Sequence, residues 1–221
     1  MRKRVSLLVV ALIGLIISAP GVYADNINVG DTITFSHGPG SGPGGVFNLY
    51  DNTTNYQFPS FCIETNEYIN YTYQGFTVGG ISDKAIINGG DVSKGYIPPP
   101  IGGDPLDIRT AYLYYNFRMG TLSGWDGSNA MADALQNTIW YIEQEITTPL
   151  TGQALIWFNA ANSSGWTTDY HGVAVLHVLT QAGGPAQDQL VLVPEPSTLL
   201  LLGAGLLGLG ILGRKKFKAK V

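Results

Sequence analysis

The chain is basic and apolar at both ends and acidic between them, and this division decides which part of it can fold in water. Met1-Arg2-Lys3-Arg4 open the sequence with positive charge, and Val5 to Ile17 follow as an apolar run broken only by Ser6 and Gly14. Pro20-Gly21 then lead to Val22-Tyr23-Ala24, with small residues at the last and third-last positions. A basic start, a short apolar run and a small-residue cleavage motif are the parts of a secretory signal, so residues 1–24 are expected to be removed by signal peptidase. At the other end Leu199 to Leu212 are unbroken apolar residues, followed by Arg214, Lys215, Lys216, Lys218 and Lys220. A usual membrane span takes roughly 20 residues. Thr198, Gly213 and snorkelling of the basic side chains extend this run, so a transmembrane helix is expected over about 198–213. The positive cluster favours a cytoplasmic C-terminus. Gly203, Ala204, Gly205, Gly208 and Gly210 keep one side of that helix thin enough for close approach of another helix.

Val193-Pro194-Glu195-Pro196-Ser197 stands directly before the run. Its two prolines fix φ and remove backbone donors, which leaves an extended segment suited to a protease groove. Motif, apolar helix and basic cluster, in that order, resemble the PEP-CTERM sorting signal over Val193 to about Lys218. The resemblance implies recognition by an exosortase, a membrane transpeptidase-like enzyme that cuts near Pro194-Glu195-Pro196. It also implies an intermediate anchored in the inner membrane, then delivery to the cell surface or extracellular matrix of a Gram-negative bacterium.

Removing both ends leaves 169 residues, Asp25 to Val193, enough for one domain with a sizeable core. This passenger holds four basic residues, Lys84, Lys94, Arg109 and Arg118, against fifteen acidic ones, a formal charge of −11. Such a surface argues against nucleic acid and anionic lipid as partners. Aromatic and β-branched residues are too plentiful for a disordered segment and suit an extracellular β-rich domain. The one cysteine, Cys62, has no internal disulfide partner, so it is buried and inert, paired between molecules, or reactive.

Alternation and turn residues predict strands at Thr32–Phe35, Val46–Tyr50, Phe58–Glu64 and Tyr71–Val78. His37 to Gly45 read as a flexible loop and Lys94 to Pro105 as a Pro/Gly-rich linker. Helical spacing follows over Leu106–Met119, then from a cap at Ser128 or Asn129 to about Thr147, then over about Thr151–Asn162. Leu135, Ile139, Ile142 and Ile146 form the apolar stripe of the middle helix. Val173–Thr180 and Gln189–Val193 read as the last strands. The expected fold class is therefore α+β. An antiparallel β-sandwich or barrel, with its β subdomain at residues 25–93 and 166–193, carries a helical insertion at about 106–162, and its first and last strands come together. Residues 194–221 form the sorting tail.

Cys62 lies in Pro59-Ser60-Phe61-Cys62-Ile63-Glu64, and Gln136 in Leu135-Gln136-Asn137-Thr138-Ile139-Trp140. Gln136 is one step off the apolar stripe, on the side of Trp140 and Glu143. The two stretches resemble the bacterial thioester domains of surface adhesins. In that family an aromatic-Cys strand segment precedes a Gln-x-x-apolar-Trp helix segment. Phe61-Cys62 and Gln136-Asn137-Thr138-Ile139-Trp140 match in the same order. Leu135 departs from the threonine that often stands there, and the best-known members are sorted to Gram-positive walls. The resemblance implies an internal thioester between Cys62 and Gln136 that captures a surface-protein amine or a polysaccharide hydroxyl. It fires once and does not turn over, so neither an enzyme nor a cofactor or metal is expected. The alternative is an unreactive buried cysteine and a solvent-facing glutamine, in a non-covalent biofilm-matrix or carbohydrate-binding protein with the same tail.

Other residues carry less. His37 lies in a loop and His171 precedes a strand. His177 shares a face with Val173, Val175 and Leu179, as a satisfied core histidine does. No Ser/His/Asp order, HExxH or metal-ligand cluster stands out. Glu64 with Glu67, and Glu143 with Glu145, read as solvated faces. Asp126-Gly127-Ser128-Asn129 lacks the terminal bidentate glutamate of a calcium loop. Trp125, Trp140, Trp157 and Trp166 read chiefly as core, with room among them for a sugar-stacking platform.

Overall fold

A computed structural model describes residues 24–65, 67–72, 75–85 and 103–193. Residues 1–23, the Pro194-Glu195-Pro196 motif and the apolar run at about 198–213 lie outside the described residues. The described chain runs through β1 (Thr32–His37), β2 (Phe47–Asp51), β3 (Tyr56–Ser60), β4 (Phe76–Ser82), β5 (Lys84–Ala85) and β6 (Asp104–Pro105). It continues through α1 (Ile108–Met119), α2 (Asn129–Ile142) and α3 (Gly152–Asn162), and ends with β7 (Val173–Leu179) and β8 (Pro185–Leu192). Six strands form one sheet in the order β3-β2-β1-β4-β7-β8, while β5 and β6 make a separate two-stranded ladder. Every pairing is antiparallel.

This is an α+β arrangement, but no second packed β-layer of a sandwich is present among the described residues. Among the described residues the two edges of the sheet meet where Cys62 makes an isolated antiparallel bridge to Gln189. The first and last strands are not neighbours either: β4 and β7 join across the helical segment. Asp25, ahead of β1, pairs instead with the end of β8 through Leu192.

Strand chemistry explains which faces are covered. In β2, Phe47, Leu49 and Asp51 are buried and the residues between them are not, the period of a half-buried strand. β7 and β8 are buried along almost their whole length, because both of their faces are occupied. Val173, Val175, Leu190 and Leu192 pack against Leu113, Tyr114, Leu135, Ile139 and Trp157 of the helices. Leu176, Val178 and Val191 pack on the other side with Ile33, Phe35, Leu49, Phe58 and Phe76. Each fully buried Leu, Ile or Phe side chain contributes roughly 1.5–3 kcal/mol.

The helices are punctuated by their own side chains. Asp107 caps α1 by accepting from Arg109 N, and Ser128 caps α2 by accepting from Met131 N. Gly120 ends α1 at φ 69°, a left-handed position that costs glycine little. α2 stops at Ile142, five residues short of the expected Thr147. Gln144 turns left-handed at φ 65°, and the chain swings Glu143 and Glu145 inward. The glutamates read as solvated faces are in fact buried, Glu64 to 1 % and Glu145 to 4 % exposure. Tertiary hydrogen bonds account for two of them: Glu145 accepts from both N and Oγ1 of Thr65, and Glu143 accepts from Asp107 N.

An ion pair fastens the helices to the sheet. Arg118 donates from both terminal nitrogens to Asp25, each at 2.7 Å, with side chains only 7 % and 0 % exposed. The guanidinium also lies over the rings of Phe58 and Tyr114, at 5.4 and 5.6 Å from their centroids. Removing one partner strands a buried charge, so Arg118→Met is expected to lower the unfolding free energy by about 3–5 kcal/mol in a urea titration.

Glu143 makes stability depend on pH in the direction opposite to an ordinary paired carboxylate. Burial pushes it up to about 8 from an ordinary value of 4.5, with the charges of Asp107 and Asp104 adding to the rise. Between those values the folded chain holds a proton that the unfolded chain has released, so this contribution is full below 4.5 and is lost as pH rises through 8. The melting temperature is expected to fall from pH 5 to pH 8, and Glu143→Gln to flatten that slope in the same scan.

Candidate functional site

Past Ser60 the chain leaves the ladder with β2 and crosses to β8. Leu190 N donates to Phe61 O at 2.9 Å and Ile63 N to Asp188 O at 3.4 Å. Extended chain alternates its side chains. Phe61 and Ile63 therefore enter the apolar cluster shared with the helices, and Cys62 enters the cluster inside the curled sheet. The sulfur is fully buried.

α2 supplies the other half. Gln136 and Trp140 lie one turn apart on its buried face, 1 % and 9 % exposed. Gln136 Nε2 donates to the Cys62 carbonyl at 2.7 Å, and the Cys62 thiol donates to Gln136 Oε1 at 3.4 Å. The carboxamide is thus held at two points across 74 positions of sequence, with the thiol against its carbonyl oxygen. Gln136 is not solvent-facing, and its burial is stabilised by these bonds.

The electrostatics keep the site neutral. Burial pushes the Cys62 thiol far above its ordinary range, and the charges of Glu64 and Glu145 add to the rise. Trp140 Nε1 is buried without a hydrogen-bond partner. The indole dipole nearby works against that rise without outweighing burial. Glu64, two residues on, is pushed up to about 11 by burial and by the nearby Asp188 and Glu67, so it is a neutral acid at neutral pH.

The glycine-rich loop between β1 and β2 is folded down onto this pair. Gly40 N donates to Asn129 Oδ1 at 3.0 Å and Ser41 N to Asp133 Oδ1 at 2.9 Å, while Ser41 Oγ donates to the other Asp133 oxygen. A Cβ on Gly44 would sit 2.5 Å from Gln136 Cγ and 2.6 Å from Trp140 Cη2, so only glycine permits this approach. A cleft of about 240 Å³ opens beside the loop and reaches Asp133, Gln136, Asn137 and Trp140. A larger groove, about 300 Å³, lies among Asp104–Ile108, Ile142–Gln144 and Tyr170 and does not touch Cys62.

Three of the four tryptophans are packing residues. Trp157 is buried and donates to Ser123 O at 2.8 Å, Trp125 packs on Phe61 and Phe117, and Trp140 belongs to the inner cluster. Trp166 is half-buried against Tyr112, Tyr115 and His171. His37 stacks on Tyr71 at 3.8 Å. Asp126 accepts from Ser128 N, a turn that prepares the cap of α2. His177 does not merely pack: it binds Ser82 and Asp188, a constellation with no signal in the linear order because Ser82 lies 95 positions away.

Residues 192–216 match the family model described as the PEP-CTERM protein-sorting motif. This is the tail of an exported chain that passes through a membrane-anchored intermediate and is processed by exosortase. The matched stretch begins at the last residue of β8, so the sorting signal follows the sheet without a linker. Neither the curated proteins nor the solved structures give a match to this chain.

Proposed function

We propose that this protein is a cell-surface or exopolysaccharide-matrix component of a Gram-negative bacterium that couples covalently to a partner through a thioester between Cys62 and Gln136. The observation that carries the reading is the two-point contact of the Gln136 carboxamide with the Cys62 thiol and carbonyl. Held so, addition of sulfur to the amide carbon needs no search, which is the main entropic obstacle to such a step. The C–S bond forms, the C–N bond of the carboxamide breaks, and the thiol proton leaves with the nitrogen as ammonia. Trp140 N–H steadies charge on the sulfur as it bonds and later as it departs. A partner amine then yields an amide and a partner hydroxyl an ester, each regenerating the thiol. The cleft beside Gly44 is the approach to the acyl carbon. The site acts once and needs no cofactor. Signal peptidase would release the amino end, and exosortase would act at Pro194-Glu195-Pro196.

A non-covalent, carbohydrate-binding reading is favoured by one observation, the half-buried aromatic group of Trp166, Tyr112, Tyr115 and His171, whose faces suit sugar stacking. It requires nothing of Cys62.

The decisive measurement is intact mass. The exported protein should weigh one ammonia less than its sequence, and its single thiol should resist thiol reagents in the native state. Methylamine should release the thiol and leave a methylamide on Gln136. Cys62→Ala should restore the full mass, and Gln136→Ala should make the thiol titratable after mild unfolding without amine treatment. Full mass in the wild type would leave the carbohydrate-binding reading in its place.

The loop supplies a second test. Gly44→Ala should displace Gln136 or lift the loop, at a cost of roughly 1–3 kcal/mol, and so lower the fraction of molecules that lose ammonia.

A further inference from the structure

Ser82, His177 and Asp188 form a hydrogen-bonded chain across β4, β7 and β8 whose side chains make no hydrogen bond to Cys62 or Gln136, although the Asp188 carbonyl accepts from Ile63 N beside the cysteine. We propose that this chain is a serine-nucleophile relay that cleaves small uncharged carboxylic esters by acyl transfer to Ser82.

The atoms meet in the order such a relay needs. Ser82 Oγ lies 2.8 Å from His177 Nε2, and His177 Nδ1 lies 2.8 Å from Asp188 Oδ2. Asp188 is 4 % exposed, and its second oxygen accepts from Val178 N at 3.3 Å. The carboxylate therefore fixes the imidazole tautomer with Nδ1 protonated and Nε2 facing the hydroxyl. His177 is 7 % exposed, while Ser82 is only partly buried, so the nucleophile is the end of the chain that solvent reaches.

The local backbone is shaped around the histidine. The β4–β7 register shifts between Val78 and Gly80, and the β7–β8 register shifts between Leu176 and Val178, so irregularities flank His177 on both sides. Such bulges re-aim side chains. A Cβ on Gly80 would stand 3.0 Å from His177 Cδ2, so glycine leaves room for the ring.

The proton has two places to rest. Ser82 Oγ is also 2.8 Å from Lys84 O and accepts from Lys84 N at 3.3 Å. With neutral imidazole the hydroxyl donates to Nε2. With imidazolium, Nε2–H donates to Oγ and the hydroxyl turns to Lys84 O. Both protonation states are satisfied by the same heavy-atom positions, so the pair can pass a proton without rearrangement.

The step balances. Ser82 Oγ attacks the ester carbonyl carbon as its proton passes to His177 Nε2, and Asp188 stabilises the imidazolium. The ester C–O bond breaks, the leaving alcohol takes that proton, and the acyl group stays on Ser82. Water, deprotonated by the same nitrogen, then releases the acid. The passenger charge of −11 repels anionic substrates, so the esters it takes carry no negative charge, and an uncharged one is the simplest of that class.

The test uses the full chain in detergent with a fluorophosphonate probe and p-nitrophenyl acetate. The probe should label one serine per chain, located at Ser82 by peptide mass, and Ser82→Ala should remove the label while the chain stays folded by circular dichroism. His177→Gln should slow acetate release by roughly 10²–10⁴-fold, with folding checked by circular dichroism. If the folded wild-type chain is not labelled at Ser82, or if Ser82→Ala releases acetate as fast as wild type, the proposal is overturned. Intact mass at Cys62 and Gln136 is read from the same samples, so this outcome is separate from that of the thioester.

Discussion

The bridge between Phe61–Ile63 and β8 holds the rest of the structure in place. A six-stranded antiparallel sheet has two edges, each a row of unpaired donors and acceptors. Here the continuation of one edge strand is carried across to the other edge, and three residues close the gap. The same crossing sets the facing of each side chain. Phe61 and Ile63 anchor the helical layer, and the residue between them can only point into the curled sheet. The position of the Cys62 sulfur is therefore a consequence of closing the sheet. α2 then needs only to lie on this seam for Gln136 to reach both the sulfur and the adjoining carbonyl.

A second constraint is the shortage of positive charge. With four basic residues in the passenger, buried carboxylates cannot all be paired with cations. Asp25 obtains Arg118, while Asp188 is hydrogen-bonded to the His177 ring. Glu143 and Glu64 are left to burial, which holds them protonated where a solvated acid would ionise. The interior beside Cys62 is thus polar without being strongly charged.

Strands and helices were largely legible in the sequence, since alternation and helical spacing are local signals. Boundaries were less so. α2 ended at Ile142 because Gln144 adopts a left-handed turn that buries Glu143 and Glu145, and the partners that stabilise that burial, Asp107 and Thr65, are 36 and 80 positions away. The glutamates looked solvated for the same reason: a charged residue reads as exposed until its distant partner is known. The α+β class was legible, but the choice of sandwich or barrel was not, because alternation shows that a strand has a buried face but not what covers it. For β7 and β8 the cover was helix on one side and curled sheet on the other.

The glycine-rich loop and His177 show the same limit. His37 to Gly45 read as flexible, yet Asn129 and Asp133 hold the loop down where Gly44 touches Gln136 and Trp140. His177 read as a core residue because strand parity placed it among valines, and only the bulges on either side brought Ser82 and Asp188 to its ring. By itself the sequence determined the sorting tail and the acidic passenger. Those properties belong to composition and linear order, which a membrane or a processing enzyme meets in an extended chain. Only the tertiary structure decided that Cys62 touches Gln136 and that Ser82 meets His177 and Asp188. Contact between residues so distant in sequence depends on how the sheet closes and where the helices come to rest, and no local propensity encodes that.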